Sequence, residues 1–375
     1  MSHVVIAPDK FKGTLTAAQV AAHVAAGLDR ACPGLRTVQV PVADGGDGTV
    51  DAAEAAGYRR VELGVRGPTG EPTTAAVAFR EGTAIIESAQ ASGLSRLPGG
   101  VAAPLTASSY GVGELIGAAV RMGAKRIVLG LGGVACTDGG AGLVTALGAR
   151  LLDESGAELP PGGAALARLH RIDVSGLKDL SGTDVIAATD VDNPLLGERG
   201  AAAVYGPQKG ASAPDVVRLE DGLRCWADVV ERTLGRPARD EPGAGAAGGL
   251  GFAMLAFLRA GTRPGIELML DLLSFAGHLP GARLVITGEG ALDRQTLHGK
   301  APVGVARATA AAVPGVPVVA VAGICSLTAG QLRSAGISAA YALADIEPDL
   351  ARCREQAGPL LENLAANVAR DWIVT

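Results

Sequence analysis

Three stretches of this sequence share one plan: an apolar run ends in a glycine-acid loop and passes into a helix-forming segment. They are PVADGGDGTVDA at 41–52, LGGVACTDGGAGLVTA at 131–146 and LVITGEGALDRQTLHGK at 284–300. The first two align as DGGDGTVDA from Asp44 and DGGAGLVTA from Asp138. Strand, loop and helix in that order present polar groups at the carboxyl end of a parallel sheet, where α/β proteins bind ligands. A chain with three such loops is read as α/β, with several parallel strands.

At 375 residues the chain exceeds the ~250–300 residues that one core supports, so two domains are expected. A βα rhythm opens the chain. His3–Ala7 reads as a buried strand, and Thr16 and Gln19 form a capping box for a helix carrying Val20, Val24 and Leu28. A strand at 37–42 follows. The rhythm returns late, with strands at 283–287, 317–322 and 338–342 and helices at 301–312, 327–335 and 347–369. Between them, VELGVRG, TTAAVAF and TAIIESA read as a meander, because turn signals separate them. Helices at 110–122, 214–234 and 251–260 and strands at 126–129 and 184–190 complete the middle. The expectation is a discontinuous Rossmann-like α/β/α domain, 1–60 plus 281–375, with a mixed α/β domain, 61–280, inserted and the active site in the cleft between them.

Composition narrows the partners. The net charge is −5 and no basic run occurs, which argues against nucleic acid and acidic membrane surfaces. Only six of the 33 basic residues are lysines, and Lys10, Lys12, Lys209 and Lys300 stand in glycine-flanked motifs. Lysine there acts as a compact point charge for phosphate or carboxylate. The five cysteines form no C-x-x-C pair, which fits a reduced compartment. The N-terminus lacks a signal-peptide pattern and no segment reads as a membrane span, so a cytoplasmic protein is expected. Monomer and homodimer both stay open.

The loops suggest phosphate chemistry. No Walker A sequence is present. Gly130–Ala135 fits G-x-G-x-x-A after a strand, with Asp153 about twenty residues on, which is the pattern of an NAD-dependent dehydrogenase of a small hydroxy acid. Asp138 follows at once, however, and puts a carboxylate where a pyrophosphate would sit. Acids clustered around a phosphate cradle instead suit Mg²⁺-dependent phosphoryl transfer: some hold the ion and one accepts the proton of the attacking hydroxyl. Asp190 and Asp192, two apart at a strand end, can face one side. His298 reads equally as an acid–base group or a surface histidine. Cys136 reads as a small loop residue, since nothing nearby in sequence would activate it.

Taken together, APDKFKGTLTA (7–17), PVADGGDGTVD (41–51), ESAQASGL (87–94), SSYGVGELI (108–116), GLGGVACTDGGAG (130–142), ATDVDNPLLGERGAAAVYGPQKGA (188–211), GAGAAGGLG (243–251) and TGEGALDRQTLHGKAPVGVA (287–306) resemble the bacterial glycerate kinases unrelated to the P-loop and sugar-kinase folds. The resemblance implies a two-domain α/β enzyme that phosphorylates D-glycerate with ATP and Mg²⁺, usually to 2-phosphoglycerate. Val134, Cys136 and Thr137 stand where that family usually has Ser, Thr and Asn. Ala291 stands where Arg is common, and Thr189 where Cys is. Such departures leave room for a non-catalytic, ligand-binding relative.

On this reading the catalytic candidates are Asp44, Asp190 and Lys12, with Asp44 or Asp190 taking the hydroxyl proton. Lys10, Asp47, Lys209 and Asn193 are candidates for glycerate, with Lys12 or Lys209 on its carboxylate. Gly132, Gly133, Asp138, Gly139, Gly288 and Lys300 are candidates for the nucleotide. Asp192, Asp293 and Glu289 are candidates for Mg²⁺, with Asp190 an alternative.

Overall fold

The structure is a computed structural model that describes residues 2–374; the side chain of His298 lies outside the described atoms, and with it the expectation for that residue. The chain divides into two compact units. One comprises Met1–Asp44, Asp51–Gly57 and Pro264–Thr375, the other Gly45–Val50 and Tyr58–Arg263.

The first unit is built on five parallel strands. Their spatial order is Ala339–Ala342, Val318–Cys325, Ala282–Leu292, His3–Pro8, Thr37–Gln39. Every residue of the run His3–Pro8 is buried, as a parallel strand covered on both faces requires. On one face Val4, Ile6, Leu284 and Ile286 pack under helices Ala17–Ala31 and Ala357–Trp372. Burial of Val20, Val24 and Leu28 on that face contributes about 1.5–3 kcal/mol each. Gly27 lets the two helices approach: a Cβ there would lie 2.2 Å from the Glu362 carbonyl. On the other face Val5, Ala7 and Val285 meet Ile266, Met269 and Val305. Helix Gly265–Leu272 therefore groups with this unit, whose third segment is Pro264–Thr375.

In chain order these strands run 2-1-3-4-5, a doubly wound arrangement. The winding reverses between His3–Pro8 and Ala282–Leu292, and ligands of such sheets bind outside the carboxyl ends at that reversal. Two local readings are corrected here. Strand Ala282–Leu292 runs on through Gly288-Glu289-Gly290, pairing Glu289 with Ala322 and Leu292 with Cys325. Gly288 is a close-packing position and no turn, since a Cβ would lie 2.4 Å from the Val321 carbonyl oxygen. Past it, only a 3₁₀ turn, Thr296–His298, precedes helix Ala301–Ala312.

The second unit holds a six-stranded sheet in the order Gly261–Arg263, Asp184–Ala188, Arg126–Gly130, Thr83–Glu87, Pro72–Arg80, Arg59–Arg66. The first four are parallel and the last three form the antiparallel meander. Trp226, on helix Ala213–Leu234, sits in the core edge-on to Phe252 at 6.4 Å. The helix expected at 251–260 spans Ala246–Phe257, and Ala247, Gly248 and Gly249 at its start are left-handed. Arg150–Leu152 pairs with Arg171–Asp173 in a separate two-stranded ribbon, and Leu152 also bridges Glu158.

Candidate active site

At the reversal point of the first sheet, the chain leaving His3–Pro8 carries Asp9, Lys10 and Lys12. The Asp9 amide donates to the Gly288 carbonyl at 2.8 Å, which ties the residue after the first strand to strand Ala282–Leu292. Asp9 is 7% exposed, and its Oδ1 accepts from the Lys10 amide at 2.7 Å with the Lys10 ammonium 4.0 Å away. Burial pushes this carboxyl up to about 7; Lys10 opposes the shift, and Asp44 and Glu289 add to it. Lys12 is exposed, its backbone alongside Gly290.

Glu289 is buried, accepts from the Thr296 hydroxyl, and has the Lys300 ammonium 3.4 Å from Oε2. Burial raises its carboxyl above the ordinary range, against the pull of Thr296 and Lys300. Asp293 closes the turn that leads into the 3₁₀ segment, its Oδ1 accepting from the amides of Gln295 at 2.7 Å and Thr296 at 3.3 Å. Asp9, Lys10, Asp44, Glu289, Asp293 and Lys300 thus form one acid–lysine cluster within the first unit.

In the second unit, segment Gly45–Val50 and the Asp138 loop are set by different contacts. Gly45 and Gly46 lie against Gly130 and Gly132: a Cβ on Gly130 would be 2.1 Å from the Gly45 carbonyl, and one on Gly132 3.4 Å from the Gly46 Cα. Asp47 lies beside Gly133, 3.1 Å from where its Cβ would be. Glu87 is buried at the end of its strand and accepts the Val50 amide at 2.5 Å. The nearby Ser88 hydroxyl donates to the Gly130 carbonyl at 2.8 Å.

Asp138 is buried and accepts from the amides of Ser109, Gly140 and Gly142 and from the hydroxyls of Ser109 and Ser108. The Gly139 amide donates to the Gly248 carbonyl at 3.0 Å. Amides 139, 140 and 142 are therefore engaged within the protein, and the Gly132 amide lies 3.5 Å from the Ser88 hydroxyl. Lys209 is only 4% exposed, and its ammonium donates to the Cys136 carbonyl at 2.5 Å and the Thr137 hydroxyl at 3.3 Å. Burial lowers its pKa and raises that of the Cys136 thiol. Asp190 and Asp192 are exposed, and Asp192 pairs with Arg199 at 3.1 Å. Asn193 accepts from the Tyr205 hydroxyl at 2.7 Å and donates to the Arg199 carbonyl at 2.8 Å.

The dehydrogenase pattern does not hold. Asp153 lies outside the parallel sheet, its Oδ1 closing a turn onto Ser155 and Ala157. Sequence reasoning missed Asp9, Glu87, Ser109 and Thr296. Asp9 had a signal: an acid at the end of the first strand, beside two of the chain's six lysines.

Acids and ammonium groups gathered at a sheet reversal suit an enzyme that handles phosphoryl groups. Residues 4–373 match the glycerate kinase family, and the chain belongs to that family. A glycerate kinase of Bacillus subtilis (strain 168) is 45% identical over 370 residues, covering 98% of this chain and 96% of that one. A glycerate 2-kinase of Escherichia coli (strain K12) is 44% identical over 345 residues, covering 91% and 90%. A crystal structure from Salmonella typhimurium LT2, assigned as glycerate kinase 2, superposes with a TM-score of 0.85 at 41% identity, covering 99% of this chain and 98% of that one.

Proposed function

We propose that this protein transfers the γ-phosphoryl group of ATP to a hydroxyl of D-glycerate, releasing ADP and 2-phosphoglycerate. The acid–lysine cluster at the reversal of the first sheet is the observation that carries this reading, and the family membership supports it. The name of the Escherichia coli relative supports the 2-position.

In this reading the glycerate hydroxyl oxygen forms a bond to the γ-phosphorus while the bond to the β–γ bridging oxygen breaks. The hydroxyl proton passes to a carboxylate. Lys10 and Lys12 attract the glycerate carboxylate, while Lys300 compensates charge on the phosphates. Lys209 and Asp138, engaged inside the protein, shape the loop between them and do not touch substrate. Catalysis of this kind is positioning and charge stabilisation.

The residues expected to hold Mg²⁺ do not fit a protein-built cage. Among the described residues no group of three or more His, Cys, Asp or Glu side chains is placed to hold a metal ion. Asp192 is paired with Arg199, Asp293 caps a turn, and Glu289 is held by Thr296 and Lys300. Mg²⁺ is instead read as part of the substrate, carried on the nucleotide phosphates with most of its waters. No helix among the described residues is long and apolar enough to cross a membrane.

D-Glycerate-dependent ADP release, measured with and without Mg²⁺, tests the reaction, and ³¹P NMR of the product tests the position. Folded protein that releases no ADP overturns the reading; a 3-phosphate product overturns only the regiochemistry.

A further inference from the structure

We propose that Asp9 is the catalytic base that takes the proton from the attacking glycerate hydroxyl, in place of Asp44 or Asp190. The assignment rests on the kinase reading above and adds to it the identity of one group.

Asp9 is the first residue beyond strand His3–Pro8, at the carboxyl end of that strand and beside Gly288 of Ala282–Leu292, at the reversal where a doubly wound sheet binds its ligands. Its Oδ1 is oriented by the Lys10 amide, whereas Oδ2 has no hydrogen-bond partner among the described residues. The other buried acids are committed: Asp138 to five donors, Glu289 to Thr296 and Lys300, and Glu87 to the Val50 amide. Lys10 and Lys12 flank the position with the charge that an anionic substrate needs. The groups that face Asp9 are Lys10, Asp44 and Glu289, and with burial they leave its carboxyl near 7. A base is most effective when its pKa lies close to the working pH. The proton moves from the hydroxyl to Oδ2 as the new O–P bond forms, and ADP departs with the electrons of the broken bond.

Wild type, Asp9→Asn and Asp44→Asn should be compared for kcat from pH 5.5 to 9, with glycerate affinity by calorimetry and melting temperature at pH 8. Asp9→Asn should lose roughly 10²- to 10⁴-fold in kcat. It should bind glycerate within about threefold of wild type, as expected when only a proton-transfer group is removed. Its melting temperature should hold or rise, because a buried charge has gone. A merely structural role would lower stability instead. The wild-type kcat should fall below about pH 7, and the residual activity of Asp9→Asn should lack that limb.

The proposal is overturned by an Asp9→Asn kcat within tenfold of wild type, by loss of glycerate binding in that variant, or by a base-like loss in Asp44→Asn alone. Should Asp9→Asn not fold, a flat wild-type profile between pH 5.5 and 8 overturns it. Wild type that turns over no glycerate overturns the kinase reading as well, whereas an active Asp9→Asn overturns this proposal alone.

Discussion

Ser109 holds Asp138 twice, by its amide at 2.8 Å and by its hydroxyl at 2.9 Å. The same hydroxyl accepts the Leu143 amide at 2.9 Å, so one serine joins the acid to the following helix. A carboxylate at the centre of such a network accepts from every side and offers nothing to solvent.

Asp138→Asn should therefore be a stability mutant. An amide nitrogen at Oδ1 or Oδ2 would face donors and leave at least one buried group unpaired, which costs about 1–3 kcal/mol. Urea titration should show the loss. An equally stable variant with a raised KM for ATP would return Asp138 to the nucleotide site.

Gly139→Ala addresses the next residue. Its φ is +63°, and a Cβ would lie 2.5 Å from Cδ1 of Trp226, whose Nε1 donates to the Gly139 carbonyl at 2.9 Å. Left-handed strain and overpacking together should cost about 2–5 kcal/mol. Since the chain has two tryptophans, Trp226 fluorescence in a Trp372→Phe background reports the unfolding of this core. An unchanged midpoint would contradict the packing described.

Lys300→Met should act on turnover. If Lys300 meets a phosphate, losing a charge-assisted hydrogen bond worth about 1.5–3 kcal/mol lowers kcat/KM for ATP by roughly 10- to 150-fold. Glu289, already raised by burial, loses one of the partners that hold it down. Steady-state kinetics at fixed glycerate decides the matter; an unaltered kcat/KM removes Lys300 from the site.

Stability should carry the signature of Asp9. Between about pH 4 and 7 the folded chain binds a proton at Asp9 that the unfolded chain has already released, so stability falls as pH rises through that window. A shift from 3.8 to about 7 corresponds to a loss on the order of 4 kcal/mol at pH 8. Asp9→Asn should flatten the curve, as measured by denaturant midpoints from pH 4 to 8. If both proteins show parallel curves, the buried charge is not the cause.

The α/β class was legible because three loops repeated the strand–loop–helix plan, and helix Ala17–Ala31 because Thr16 and Gln19 form the capping box observed. Less legible were features that depend on distant chain. Gly288 reads as a turn until Val321 is placed against it. Lys209 reads as a ligand group until the Cys136 carbonyl closes over it. Asp9 is not singled out in the sequence, because the Gly288 carbonyl that fixes it comes from residues some 280 positions away. Local sequence names the polar residues at strand ends, but only long-range pairing decides which become buried and which still face a ligand.

The first sheet has a consequence for synthesis. Strand His3–Pro8 takes Ala282–Leu292 as its neighbour, and helix Ala17–Ala31 takes Ala357–Trp372. At about 5–20 residues per second the ribosome needs on the order of fifteen seconds to a minute to supply those partners. Meanwhile the intervening second unit emerges with its own strands contiguous and able to fold. Until then strand His3–Pro8 has only Thr37–Gln39 to pair with, and the exposure of its other edge to chaperones should be greatest before residue 282 is made.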